Sequence, residues 1–119
     1  MLHHVGIEVA PEDLERAVRF WQLLGFTEVE PPPTLADHYT WLERGGTQVH
    51  LMHEEAPTVP PRAHLAVVAP EFEATFAALQ EAGFEVERHR EHWVAPRAVA
   101  IAPGGHRVEL MESPPAPAE

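Results

Sequence analysis

The sequence predicts an α+β fold made of two copies of one β-α-β-β-β unit. Two stretches about sixty residues apart repeat one another: HVGIEVAPEDLERAVRFWQLLGFTEVE from His4 and HLAVVAPEFEATFAALQEAGFEVE from His64. The ends of the copies repeat as well, GGTQVHLMHE from Gly45 against GGHRVELMES from Gly104, at a constant shift of 59 residues. Each copy also passes from two-residue alternation of apolar positions to helical spacing and back.

Each element follows from local rules. Residues 2–9 alternate and read as a strand. Pro11 suits the first turn of a helix, where its missing N–H is not needed, and Glu12 and Asp13 favour the positive helix end. Leu14, Ala17, Val18, Trp21 and Leu24 form one buried helical stripe, which Gly25 ends. Strands are expected near 26–30, 39–44 and 47–53, the last two joined by a Gly45-Gly46 hairpin turn, with PPPT at 31–34 as a loop. The second copy gives a strand at 63–69, a helix at 71–82, and strands near 84–88, 97–102 and 106–112. The units are bounded at 1–56 and 62–113, with a linker at 57–61 in the TVPPR stretch and a disordered tail at 114–119.

Composition narrows the function. The chain has 119 residues, the length of one compact domain, and is 45% hydrophobic, enough for a core. No apolar run approaches the roughly 20 residues a membrane span needs. The absence of cysteine excludes disulfides and thiolate chemistry. The opening MLHHVGIEV lacks the basic flank and apolar stretch of a signal peptide, so a cytoplasmic location is expected. A net charge of −11, with eight basic residues that are all arginine, argues against nucleic-acid binding and excludes a Schiff-base lysine.

Strand parity selects the candidate site. With Val5, Ile7 and Val9 covering the helix, the other face of the first strand carries His4, Gly6 and Glu8. The same logic leaves Gln48, His50 and Met52 on the fourth strand, His64 and Ala66 on the fifth, and Arg107, Glu109 and Met111 on the eighth. His4 and His64 are repeat mates, and so are His50 and Glu109. If the first strand of each unit lies beside its last, each pair sits across neighbouring strands, and two units related by a pseudo-dyad would bring three imidazoles and a carboxylate to one point, a donor set for a divalent metal. Counting out from Gly45-Gly46 pairs Glu43 with Gln48 and Trp41 with His50, so Tyr39, Trp41 and Glu43 join this face. The repeat shift places Ala98, Ala100 and Ala102 on the matching face of the second unit. His3, His38, His53, His89, His92 and His106 lack such correspondence and are expected on the surface or in loops, with His38 and His92 as rim candidates.

At these residues the chain resembles the vicinal oxygen chelate superfamily, which includes glyoxalase I, methylmalonyl-CoA epimerase, fosfomycin-resistance enzymes, extradiol dioxygenases and bleomycin-binding proteins. The likeness spans 2–112 and is carried by LHHVGIEV, LLGF, AHLAVVAPEF and PGGHRVELME. The last resembles the family's D-P-D-G-x-x-x-E-L signature, with Ala102-Pro103-Gly104-Gly105 departing at both acidic positions. The resemblance implies a curled mixed eight-stranded sheet around a metal-binding cavity. It puts the family's first-strand histidine on His4, its fifth-strand histidine on His64 and its last-strand glutamate on Glu109. The variable fourth ligand, a glutamate in bacterial glyoxalase I, falls on His50.

The resemblance also implies a homodimer and a divalent ion (zinc, nickel, cobalt, iron or manganese). The implied activity is that of a metal-dependent lyase or isomerase of the glyoxalase type. Such an enzyme binds a small substrate with vicinal oxygens and stabilises an enediolate-like anion. Glu109 would be both ligand and base, with Glu43 or Glu8 as an unligated base. Tyr39, Trp41, Gln48, Met52, Arg107 and Met111 would line the substrate cavity. The alternative is a non-catalytic binding or resistance protein of the bleomycin-binding type. Glu8 stands where glyoxalase I has an arginine for the glutathione carboxylate. The chain also lacks the lysine of fosfomycin transferases and the length usual for extradiol dioxygenases.

Overall fold

The protein is described here by a computed structural model covering residues 1–116. Of the expected tail at 114–119, residues 114–116 are exposed and irregular, and 117–119 lie outside the described residues. The chain divides into two compact units, Met1–Val59 and Pro60–Glu119.

The first unit runs β1 (His4–Val9), a 3₁₀ turn (Pro11–Asp13), α1 (Leu14–Leu23), β2 (Thr27–Val29), β3 (Tyr39–Arg44) and β4 (Thr47–His53). Its sheet has the order β1-β4-β3-β2, with β1 parallel to β4 and the remaining pairs antiparallel. The second unit runs β5 (His64–Val68), α2 (Phe72–Glu81), β6 (Glu85–His89), β7 (Arg97–Ile101) and β8 (Arg107–Met111). Its order is β5-β8-β7-β6, with the same strand senses. The eight strands therefore fall into two four-stranded mixed sheets, one from each βαβββ unit, as the α+β fold of paired units expected from the sequence requires. One crossover and the antiparallel returns complete a ladder within each unit, so each sheet finds its partners locally.

Both helices stop by the same device. Phe26 N–H donates to Trp21 O (3.0 Å) and Gly25 N–H to Gln22 O (3.0 Å), with Gly25 at φ +91°. In the second unit Phe84 N–H reaches Leu79 O and Gly83 N–H reaches Gln80 O, each at 3.0 Å, with Gly83 at φ +84°. These are Schellman ends, in which a left-handed glycine turns the chain and the next apolar residue folds back on the helix. Phe26 does so against Trp21, ring to ring at 5.2 Å. The core of the first unit is built on Phe20, Trp21, Leu42 and Leu51, all fully buried. Phe20 joins the stripe expected on α1. Phe72, Leu79, Val108 and Leu110 are its counterparts in the second unit. Among the described residues no helix is long and apolar enough to cross a membrane.

The two hairpins differ by one residue, and this changes a face. Arg44 pairs with Thr47 across Gly45-Gly46, both at positive φ as a two-residue turn requires. In the second unit Ala102 N–H donates to His106 O at 2.8 Å, leaving Pro103, Gly104 and Gly105 in the turn. The 59-residue shift that holds on β8 thus becomes 58 on β7, and a one-residue slip reverses every side chain. Val99 pairs with Glu109, and Arg97 with Met111. Arg97, Val99 and Ile101 therefore share the polar face, while Ala98, Ala100 and Ala102 are buried at 0–3% exposure. This corrects the expected alanine wall. His106, expected on the surface or in a loop, is buried where it closes the longer turn.

Candidate functional site

In the first unit the expected face is assembled as the alternation predicts. His4 is in register with Gln48, Gly6 with His50 and Glu8 with Met52. On the other side of β4, Tyr39, Trp41 and Glu43 pair with Met52, His50 and Gln48. Because Gly6 has no side chain opposite His50, the His4 ring lies diagonally onto it. The two rings stack with centroids 3.9 Å apart and planes 13° from parallel. Trp41 covers the other face of His50 at 4.0 Å and 4°. Met52 fills the space over Gly6, where a Cβ would meet its Sδ at 3.4 Å.

This sandwich sets the chemistry of His50. The ring is only 6% exposed. Burial, then the neighbouring His4 and then His3, lower its pKa from 6.5 to about 4, so it is neutral near pH 7. Gln48 Nε2 donates to Glu43 Oε1 (3.0 Å), which turns Gln48 Oε1 toward His50 Nε2 at 2.7 Å. The amide oxygen accepts only, so the His50 proton sits on Nε2 and the lone pair on Nδ1. Glu43 thereby orients His50 through Gln48. His3 Nδ1 and His4 Nδ1 share a hydrogen bond of 2.9 Å. The Trp41 indole N–H is buried with no acceptor among the described residues. Glu8 Oε1 accepts from the Thr58 backbone N–H at 2.9 Å, so this carboxylate holds the chain after β4. Tyr39 lines a separate hollow of about 380 Å³ with Glu28, Glu30 and Thr40.

The second unit brings together the other expected pair. His64 Nδ1 lies 3.1 Å from Arg62 O, which accepts its proton, and Nε2 on the other side of the ring lies 3.5 Å from Glu109 Oε2. Backbone orientation of one ring nitrogen is how ligand histidines are commonly held. Arg97 Nε donates to Glu109 Oε1 at 3.1 Å, and Arg97 Nη1 donates to Arg90 O at 2.9 Å. Sequence reasoning missed Arg97. The register counted outward from the Pro103-Gly104-Gly105 turn puts it on this face. A cavity of about 90 Å³ opens here, lined by His64, His89, Arg97, Val99, Arg107 and Glu109. Met111 lies on the same face opposite Arg97, outside that lining. His38 and His92 are exposed.

The residues suit a divalent ion in donor chemistry. His64 and Glu109 present an imidazole nitrogen and a carboxylate oxygen 3.5 Å apart, and His50 is held neutral. The residues expected as ligands come together two and two, His4 with His50 and His64 with Glu109. Among the described residues no group of three or more metal-binding side chains is gathered into a cage.

Residues 1–110 match the family model of the Glyoxalase/Bleomycin resistance protein/Dioxygenase superfamily. The chain belongs to this superfamily. A glyoxalase family protein from Bacillus anthracis superposes with a TM-score of 0.84 at 24% identity, over 96% of this chain and 95% of that one. The oxidase ChaP-H2 gives 0.74 at 17% identity, covering 98% and 95%. The bleomycin resistance determinant encoded on transposon Tn5 gives 0.63 at 13%, covering 92% and 96%. At these identities the likeness is one of fold. No curated protein matches the sequence. Within the superfamily fold, His4, His50, His64 and Glu109 all occupy the sheet faces turned away from the helices.

Proposed function

We propose that this superfamily member is a metal-dependent enzyme of the glyoxalase type, acting on a small molecule with oxygens on adjacent carbons. The observation that carries the reading is the His64–Glu109 pair, with its imidazole oriented by Arg62 O and its carboxylate by Arg97. His4, His50, His64 and Glu109 would hold the ion, with zinc, nickel, cobalt, iron or manganese compatible with an imidazole-rich set. When bound, the ion supplies Lewis-acid polarisation of the two substrate oxygens.

The chain's own residues supply the rest. Glu109 is placed to accept a substrate proton, and Arg97 aims the carboxylate. Trp41 offers to the substrate side of the first sheet an indole N–H that has no acceptor among the described residues. Glu43 positions His50, and the bond from Glu8 to Thr58 fixes the loop after β4. The assembly is proposed to be a cytoplasmic homodimer. Leu2 and Val94 are exposed at 67% and 102%, and β1 and β5 are edge strands, features that association would cover.

A second reading has support in the fold likeness to the bleomycin resistance determinant: a cavity that binds without turnover. Metal analysis of protein purified without a histidine tag, followed by proton exchange at a 2-hydroxy ketone carbon, separates the two. About one divalent ion per chain with metal-dependent exchange is the expected result. Bound metal without exchange across a panel of such ketones favours sequestration.

A further inference from the structure

We infer that the ligand held against the second sheet carries an oxyanion, a carboxylate or phosphate group, and that Arg107 receives it. This deepens the proposed function and rests on it only for the ligand's place beside His64 and Glu109. Arg107 lines the 90 Å³ cavity, is partly buried, and has no hydrogen-bond or ion-pair partner among the described residues. That is unexpected in a chain with nineteen acidic and eight basic residues. Arg88 has Glu73, and Arg97 has Glu109. Arg107 stands in register with His64 and Ile101, neither an anion at neutral pH.

The charge of the cavity points the same way. Two guanidiniums line it against one carboxylate, before either imidazole is counted. A guanidinium keeps its charge at every pH the protein survives, and a partly dry wall strengthens its attraction for an anion. Glu85 and Glu87 share this sheet face on β6 but do not line the cavity. Arg97 is already committed through Nε and Nη1, so it positions Glu109, while Arg107 keeps its donor fork for the ligand. Arg107 lies two residues before Glu109 on β8, about 7 Å away along one face. A small molecule can span that distance, with its anionic end on Arg107 and its reacting end at Glu109. The first sheet carries Glu8 and Glu43 on its corresponding face, which disfavours an anion there.

The test is titration of EDTA-dialysed full-length protein with inorganic phosphate, and separately with acetate, at constant ionic strength. Calorimetry and the arginine Nε–H resonances follow binding. One anion per chain should bind, with the Arg107 resonance moving. Arg107→Gln should weaken binding at least tenfold, Arg107→Lys should restore most of it, and Arg88→Gln should change nothing. The two anions tell which oxyanion the site prefers. Equal affinity in wild type and Arg107→Gln, or no binding of either anion at about 50 mM, overturns the inference. Metal uptake measured on the same samples separates the two proposals. Anion binding without metal uptake removes the metal reading and leaves this one, and metal uptake without anion binding does the reverse.

Discussion

Acid should destabilise this protein through His50, and replacing that ring should remove the effect. The imidazole titrates at about 4 in the folded chain, against 6.5 as its ordinary value. The folded pKa is the lower one, so the contribution to stability is complete above pH 6.5. It is lost as pH falls toward 4, because the unfolded chain takes up a proton that the folded chain refuses. At about 1.4 kcal/mol per unit the full gap is worth about 3 kcal/mol. Solvent and salt screen the part owed to the exposed His4 and His3, which brings the expectation to about 2 kcal/mol. That is a large share of a typical stability of roughly 5–15 kcal/mol. The assay is urea unfolding of EDTA-treated protein at several pH values between about 7 and 4, for wild type and His50→Phe. Phenylalanine keeps a ring between His4 and Trp41 but cannot titrate. It leaves Gln48 Oε1 without its donor, a pH-independent cost of about 1–3 kcal/mol. The two stability curves should converge as pH falls. Parallel curves would refute the assignment of the acid sensitivity to this ring.

Two further outcomes are expected. Ala100→Leu should cost about 1–3 kcal/mol by overpacking the second core, whereas Val99→Leu on the polar face should stay within about 0.5 kcal/mol in chemical denaturation; the reverse ranking would mean that the face of β7 is misassigned. The methylglyoxal–glutathione hemithioacetal should be turned over weakly, because Glu8 and Glu43 put carboxylates on the first sheet's ligand face. A kcat/KM in the usual enzyme range of roughly 10⁴–10⁸ M⁻¹s⁻¹ would show that these charges do not exclude it.

Much of the fold was legible because its signals are local. The Gly-Phe pairs after each helix mark Schellman ends, and the two-residue Gly45-Gly46 turn fixes the register that puts Trp41 beside His50. Strand parity then places His4 with His50 and His64 with Glu109. The missing parts share one cause, since alternation gives a side chain's face but not its count around a longer turn. Pro103-Gly104-Gly105 adds one residue, which hid Arg97 and put the alanines of β7 in the core. Alternation also cannot show ring stacking, which depends on side-chain torsions. The sandwich of His4, His50 and Trp41, and the low pKa that follows, emerge only from the three-dimensional arrangement.

The central proposal is that both ligand pairs serve one ion, and equilibrium dialysis of metal against single variants tests it most directly. Wild type should bind one divalent ion per chain. His4→Ala, His50→Ala, His64→Ala and Glu109→Ala should each weaken that binding by at least tenfold, with circular dichroism unchanged. Loss confined to the His64 and Glu109 variants, with His4→Ala and His50→Ala binding as wild type does, would contradict it.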